Sequence, residues 1–147
     1  MKSQIRRFQK KDAREVASLI SNTIFTINIK DYSHEHLETI AAMYTPEKLE
    51  SNAEIKTIFI AKVEGKIVGT ATIQDDYISG VFVLPEYIGK GIGKLLMETV
   101  EHYVLNRGVE RVRLDSSITA QAFYEERGYV VAIVKPGTIA MHKDLRK

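Results

Sequence analysis

The sequence predicts one mixed α/β domain, mostly antiparallel in its sheet, with a single parallel strand pair near the centre. Three observations carry this. Residues 58–63 and 67–73 are β-branched runs separated only by Glu64-Gly65-Lys66, a hairpin signal that pairs them antiparallel. The apolar run 77–84 enters a loop with glycine at positions 89, 91 and 93. That loop opens into an amphipathic helix followed by a further strand, a crossover that makes the two flanking strands parallel. The 147 residues, 44% of them hydrophobic, suffice for one sizeable core, and no repeat or linker divides residues 1–147.

The elements follow in order. Ile5 to Phe8 reads as a short strand. Asp12, with Glu15 three residues on, forms a capping-box pattern ahead of Val16, Leu19, Ile20 and Thr23 at helical spacing. Residues 28–32 read as loop, and Ser33 as the N-cap of a second helix with Leu37, Ile40, Ala41 and Tyr44 on one face. Pro46 either stops that helix or starts another short turn. After the 58–73 hairpin, Asp75-Asp76 marks a turn. Gly80, inside the next strand, suggests a bulge or a close backbone approach. Ile92, Leu95, Leu96, Thr99, Val100, Tyr103 and Val104 give the clearest helix, closed by Asn106-Arg107-Gly108. Arg111 to Asp115 alternates as a strand, with Arg111 and Arg113 along one side. Ser116 to Thr119 offers caps to a short helix 120–127 closed by Gly128. Strands 129–134 and 138–142 are joined through Lys135-Pro136-Gly137. The expected order is therefore β-α-α-β-β-β-α-β-α-β-β.

Composition narrows the function. A net charge of +2 is too small to imply nucleic-acid binding. No apolar run approaches a membrane span. The basic N-terminus lacks the apolar segment of a signal peptide. Zero cysteines exclude disulfides, thiolate nucleophiles and cysteine-based zinc sites. A cytoplasmic protein is the expectation. His34 and His36 lie two apart and cannot share a helix face, so no metal is expected.

The glycine loop is the densest functional signal. Glycines let backbone N–H groups crowd a ligand, and a helix N-terminus adds unpaired donors and the positive end of its dipole. Together they suit a pyrophosphate. A P-loop is excluded, because Lys94 stands where its second glycine belongs, Leu95 where its lysine belongs and Leu96 where its hydroxyl belongs. The dinucleotide fingerprint fits only through Gly89-x-Gly91, since Lys94 replaces its third glycine. Taken alone, the glycine motif is as compatible with a packing turn as with a ligand site.

Two separated motifs resolve that ambiguity. Pro85-Glu86-Tyr87 followed by Gly89-Lys90-Gly91-Ile92-Gly93 resembles motif A of the GNAT-type N-acetyltransferases, whose pattern is Gln/Arg-x-x-Gly-x-Gly/Ala. Gly91 and Gly93 match, while Ile88 stands at the usual Gln/Arg position. Further on, Leu114-Asp115-Ser116-Ser117 and Phe123-Tyr124-Glu125-Glu126-Arg127-Gly128-Tyr129 resemble the family's later strand–helix signature. The resemblance covers nearly the whole chain. It implies the GNAT, or acyl-CoA N-acyltransferase, fold, with the central parallel pair splayed for coenzyme A and helices on both faces of the sheet.

The resemblance also implies roles. Backbone groups of Val81, Phe82 and Val83 would pair with the pantetheine arm of acetyl-CoA, much as an added strand would. Ile88, Gly89, Lys90, Gly91, Ile92, Gly93 and Lys94 would surround the pyrophosphate. Ser117 stands at a position where many relatives contact the arm through asparagine, although a helix cap accounts for it equally. Tyr124 is the expected general acid for the departing thiolate, and it also contacts the co-substrate. No base stands out: Asp75, Asp76 and Tyr77 lie where some relatives carry a glutamate, but a turn is the preferred reading of the aspartates. Asn28, Asp31, Tyr32 and His36 fall in the segment expected to wall the acceptor pocket. The implied activity is acetyl transfer to a primary amine of a small molecule, peptide or protein. A non-catalytic CoA-binding sensor or scaffold is the alternative. A homodimer through the C-terminal strands is compatible with the pattern.

Overall fold

A computed structural model describes residues 2–146; the terminal residues of the expected 1–147 domain lie outside it. Seven strands form one sheet in the order β1-β2-β3-β4-β5-β7-β6. They are β1 (Ser3–Arg7), β2 (Thr57–Val63), β3 (Lys66–Gln74), β4 (Tyr77–Val83), β5 (Arg111–Ser116), β6 (Val130–Lys135) and β7 (Thr138–Asp144). Every neighbouring pair is antiparallel except β4 and β5. The helices are α1 (Ala13–Ile27), α2 (His34–Ala41), α3 (Pro46–Ile55), α4 (Ile92–Leu105) and α5 (Gln121–Glu126).

The core follows from the sequence pattern. Residues 67–73 of β3 are all buried, and successive residues point to opposite faces, so both faces of the sheet are covered. On one face α4 sits close because Gly69 has no side chain: a Cβ there would lie 2.9 Å from Leu96 Cδ1 and 3.0 Å from Ile92 Cγ2. The helix α1 buries Val16, Leu19, Ile20 and Ile24 as its spacing predicts.

Local chemistry departs from expectation in two places. Asp12 does not build a capping box with Glu15. Its carboxylate instead accepts two hydrogen bonds from Arg6, at 2.8 and 3.0 Å, and one from Gln9 N–H at 2.7 Å. Burial raises the Asp12 pKa, but those donors outweigh it and hold the carboxyl below its usual range. Glu15 reaches across to accept from Ile67 N–H at 2.9 Å, tying α1 to β3. The second departure is α3. Pro46 begins a full ten-residue helix rather than a short turn, with Thr45 Oγ1 accepting from Lys48 N–H. Ser33 caps α2 as expected, accepting from His36 N–H.

The site is positioned by one irregularity. Strands β4 and β5 pair only at Tyr77↔Arg113 and Ile78↔Leu114, and beyond Ile78 they part. The register of β3 against β4 shifts between Thr70 and Thr72, opposite Gly80 at φ +59°. This is the bulge the glycine suggested, and it bends β4 away.

Candidate active site

Between the parted strands lies a cleft of about 580 Å³. Val81, Phe82, Val83, Ile88, Gly89, Gly93, Ser117 and Tyr124 all line it, so sheet, loop and α5 bring together most of the residues named from the sequence. Lys90, Gly91, Ile92 and Lys94 do not line it. Lys90 is exposed, with its ammonium 5.4 Å from the Tyr87 ring, and Lys94 is exposed on α4. The Ile92 side chain is core, 1% exposed, so only its backbone can serve a ligand.

The glycine loop meets the demands of a phosphate cradle. Gly89 and Gly91 have φ of +82° and +86°, and a Cβ on either would meet nothing within 4 Å, so open space fronts the backbone. The first intrahelical donor of α4 is Leu95 N–H, to Gly91 O at 3.1 Å. Among the described residues no acceptor takes the N–H groups of residues 89–94, which leaves them for an anion at the helix N-terminus. Gly93 differs: a Cβ there would lie 2.9 Å from the Phe123 ring, so this glycine also lets α5 pack against α4.

Along β4, Leu84 N–H donates to Val68 O at 2.8 Å, and strand alternation then turns the groups of Val83 toward the open side. One of them is engaged. Thr23 Oγ1 donates to Val83 O at 3.1 Å as well as to Leu19 O. Phe82 faces the other way, paired with Thr70 of β3, and its ring meets Tyr44 edge-on at 5.4 Å. Three consecutive open residues are therefore not what β4 provides.

Tyr124 is 6% exposed, packed edge-on between Phe123 and Tyr129. Its hydroxyl has no hydrogen-bond partner among the described residues, and burial pushes its pKa well above the usual phenol range. Ser117 Oγ accepts from Ala120 N–H at 3.1 Å, so it caps the turn into α5 while lining the cleft. Asp75, at φ +56°, is a turn residue, and Asp76 is bound by Arg113 Nε at 3.1 Å; the turn reading of the pair fits both.

Of the acceptor-wall residues, Asn28, Tyr32 and His36 line the cleft, and Asp31 accepts from Thr119 Oγ1 at 2.6 Å behind it. Sequence reasoning missed Asp115 and Tyr44. Asp115 Oδ2 accepts from the Tyr77 hydroxyl at 2.8 Å. Burial first, and then this carboxylate, push the Tyr77 phenol up to about 12. Asp115 alternates outward on β5, a signal visible in the sequence but indistinguishable there from a solvated surface charge.

A splayed sheet that leaves strand edges and a helix N-terminus open to an anionic, extended molecule defines a class of acyl-CoA acyltransferases. Residues 28–138 match the family model described as "Acetyltransferase (GNAT) domain", and the chain belongs to that family. It is 25% identical over 126 residues to the uncharacterized N-acetyltransferase YafP of Escherichia coli K12, covering 86% of this chain and 80% of that one. A GCN5-related N-acetyltransferase structure from Rhodopseudomonas palustris aligns with a TM-score of 0.89 at 27% identity, over 98% of this chain and 96% of that one. The PaiA N-acetyltransferase of Thermoplasma acidophilum, solved with coenzyme A, aligns at 0.86 and 22% identity, over 98% of this chain and 99% of that one. The family makes this chain an enzyme that transfers an acyl group from an acyl-CoA co-substrate.

Proposed function

We propose that this enzyme transfers acetyl from acetyl-CoA to a primary amine by direct attack on the thioester, as a cytoplasmic protein needing no metal. Acetyl-CoA supplies the activated acyl group. The open N–H groups of residues 89–94 would hold its pyrophosphate, with Lys90 and Lys94 as nearby cations, and Val83 would hold its arm. The observation carrying the reading is the unpartnered hydroxyl of Tyr124, a largely buried residue that lines the same cleft as Gly89 and Gly93 of the glycine loop. A phenol is protonated at neutral pH, and a hydroxyl that no protein group engages is free to give its proton to a departing thiolate. An amine entering this cleft beside Tyr32 and His36 would shed one proton to solvent before its nitrogen attacks and a second as the C–S bond breaks, while the thiolate takes the Tyr124 proton, which solvent replaces, so no protein nucleophile is needed.

Release of free thiol from acetyl-CoA, measured across a broad amine panel, tests this. Amine-dependent release is expected. Binding of CoA with no release on any amine would instead describe a sensor. Gly91→Glu is expected to abolish CoA binding by placing bulk and charge at the phosphate site. Gly91→Ala carries the same backbone strain at φ +86° without the charge, and it should weaken binding much less. Equal affinity in Gly91→Glu and the parent would remove the cradle.

We further infer a homodimer joined along β6, supported by the exposure of all six of its residues at an open sheet edge.

A further inference from the structure

The cleft carries its own statement about the acceptor. Among the described residues that line it, Asp115 is the single Asp or Glu, and Lys and Arg are absent. Asp115 is the first residue of β5 past the last parallel pair, Ile78↔Leu114, so it stands at the apex where the strands part. Tyr77 donates to its Oδ2 at 2.8 Å, and Lys135 Nζ lies 3.5 Å from Oδ1. Arg113 is committed elsewhere, to Asp76 and to the face of the Tyr77 ring. A carboxylate has about four lone-pair sites, so two partners leave it able to accept more. Lys135 is half exposed, and a pair of that kind contributes little and yields readily to a better-placed cation. The same cleft is lined by the apolar Ile27, Leu37, Ile40, Met43 and Pro136, with Asn28, Tyr32 and His36 as polar members of its wall.

The geometry points to Asp115 as the group that receives the acceptor's ammonium, and to an acceptor whose amine sits on an apolar body with no anionic group. This deepens the amine-acetyltransferase reading and rests on it. An amine bearing a carboxylate or phosphate would bring an anion into a cleft whose lining holds no Lys or Arg, beside a carboxylate that repels it and already draws the one nearby ammonium, Lys135. An amine on an aryl or alkyl body satisfies both the single charge and the apolar wall. Tyr77 is the positioning residue, since its hydroxyl holds the carboxylate at the apex.

The test compares 2-phenylethylamine, phenylalanine methyl ester and phenylalanine as acceptors for the full chain with acetyl-CoA. The first two share the aryl body and lack an anion; the third adds only the carboxylate. We expect the first two to be acetylated and phenylalanine to be poorer in kcat/KM by about a hundredfold, the scale of a lost charge-assisted contact. Asp115→Asn should raise KM for 2-phenylethylamine by about tenfold to a hundredfold with CoA affinity unchanged, and Asp115→Glu should recover part of it. Tyr77→Phe should raise KM in the same direction by less, a second check should the first variant fold poorly. Phenylalanine accepted within a few-fold of the other two, turnover confined to sugar or anionic amines, or an unchanged KM in Asp115→Asn each overturns the proposal while leaving acetyl transfer standing. Bound CoA with no amine acetylated overturns acetyl transfer itself, and this proposal with it.

Discussion

Removing one oxygen from Tyr124 isolates its chemistry from its packing. The ring contacts with Phe123 and Tyr129, at 5.1 and 5.7 Å between centroids, survive in Tyr124→Phe, and no protein hydrogen bond is lost because the hydroxyl makes none among the described residues. The variant should fold and bind CoA as the parent does, while kcat falls by about 10²-fold, the worth of a positioned acid. Steady-state kinetics beside calorimetric CoA titration checks this; parental turnover would exclude Tyr124 as the acid. Legibility at this scale was uneven. Tyr124 was readable because a seven-residue signature surrounds it. Asp115 and Tyr44 were not, because their meaning comes from what lies across the cleft: Tyr77 and Lys135 for the first, Gly80 and Phe82 for the second.

The helix with the strongest apolar period was read correctly, and α3, which has almost none, was not. The helix α4 buries Ile92, Leu96, Met97, Val100 and Val104, and its sequence shows that stripe plainly. In α3 only Leu49 is buried, so periodicity had almost nothing to display; the Thr45-Pro46 start was its sole signal. The splay of β4 from β5 is an absence of pairing, at which the residues themselves hinted only through Gly80; the expectation of it came from the resemblance of the two motifs to the GNAT family. The two sheet edges differ in kind. Strand β1 carries Gln4, Arg6 and Arg7, which discourage pairing, whereas β6 exposes Val130, Val131, Ile133 and Val134, the last at 74%, with Lys135 its only charge. Antiparallel pairing of two β6 strands would satisfy both edges and cover those side chains. Sedimentation should therefore show a dimer, and Val134→Lys, which charges the most exposed position, should shift it toward monomer without lowering thermal stability. A parent that sediments as a monomer at every concentration would remove the β6 interface.

At the scale of the whole molecule, the parted sheet raises a mechanical question. Two register pairs are the only backbone pairing between β4 and β5, supplemented at the same end by the Tyr77–Asp115 hydrogen bond. The segment between α1 and α2 spans the gap. The Tyr32 hydroxyl donates to Gly137 O at 2.7 Å and accepts from Ile118 N–H at 2.8 Å, and Asn28 and Asp31 both bond the Thr119 hydroxyl, at 3.3 and 2.6 Å. Tyr32 thus fastens the first half of the chain to both loops of the second, and its ring stacks on His36 at 5.0 Å. Tyr32→Phe keeps the stack and deletes both hydroxyl bonds. Each such bond contributes about 1 kcal/mol, so the loss should be about 1–3 kcal/mol in chemical denaturation. The more specific consequence is local. Amide exchange at Ile118 and its neighbours should quicken, and exchange in β2 and β3 should not, because their core pairing is untouched. Bound CoA bridges the same two halves, so it should restore much of the protection in the variant. Exchange that quickens evenly through the sheet, or not at all at Ile118, would mean that the seam is held by the core alone and that Tyr32 serves only as a wall of the cleft.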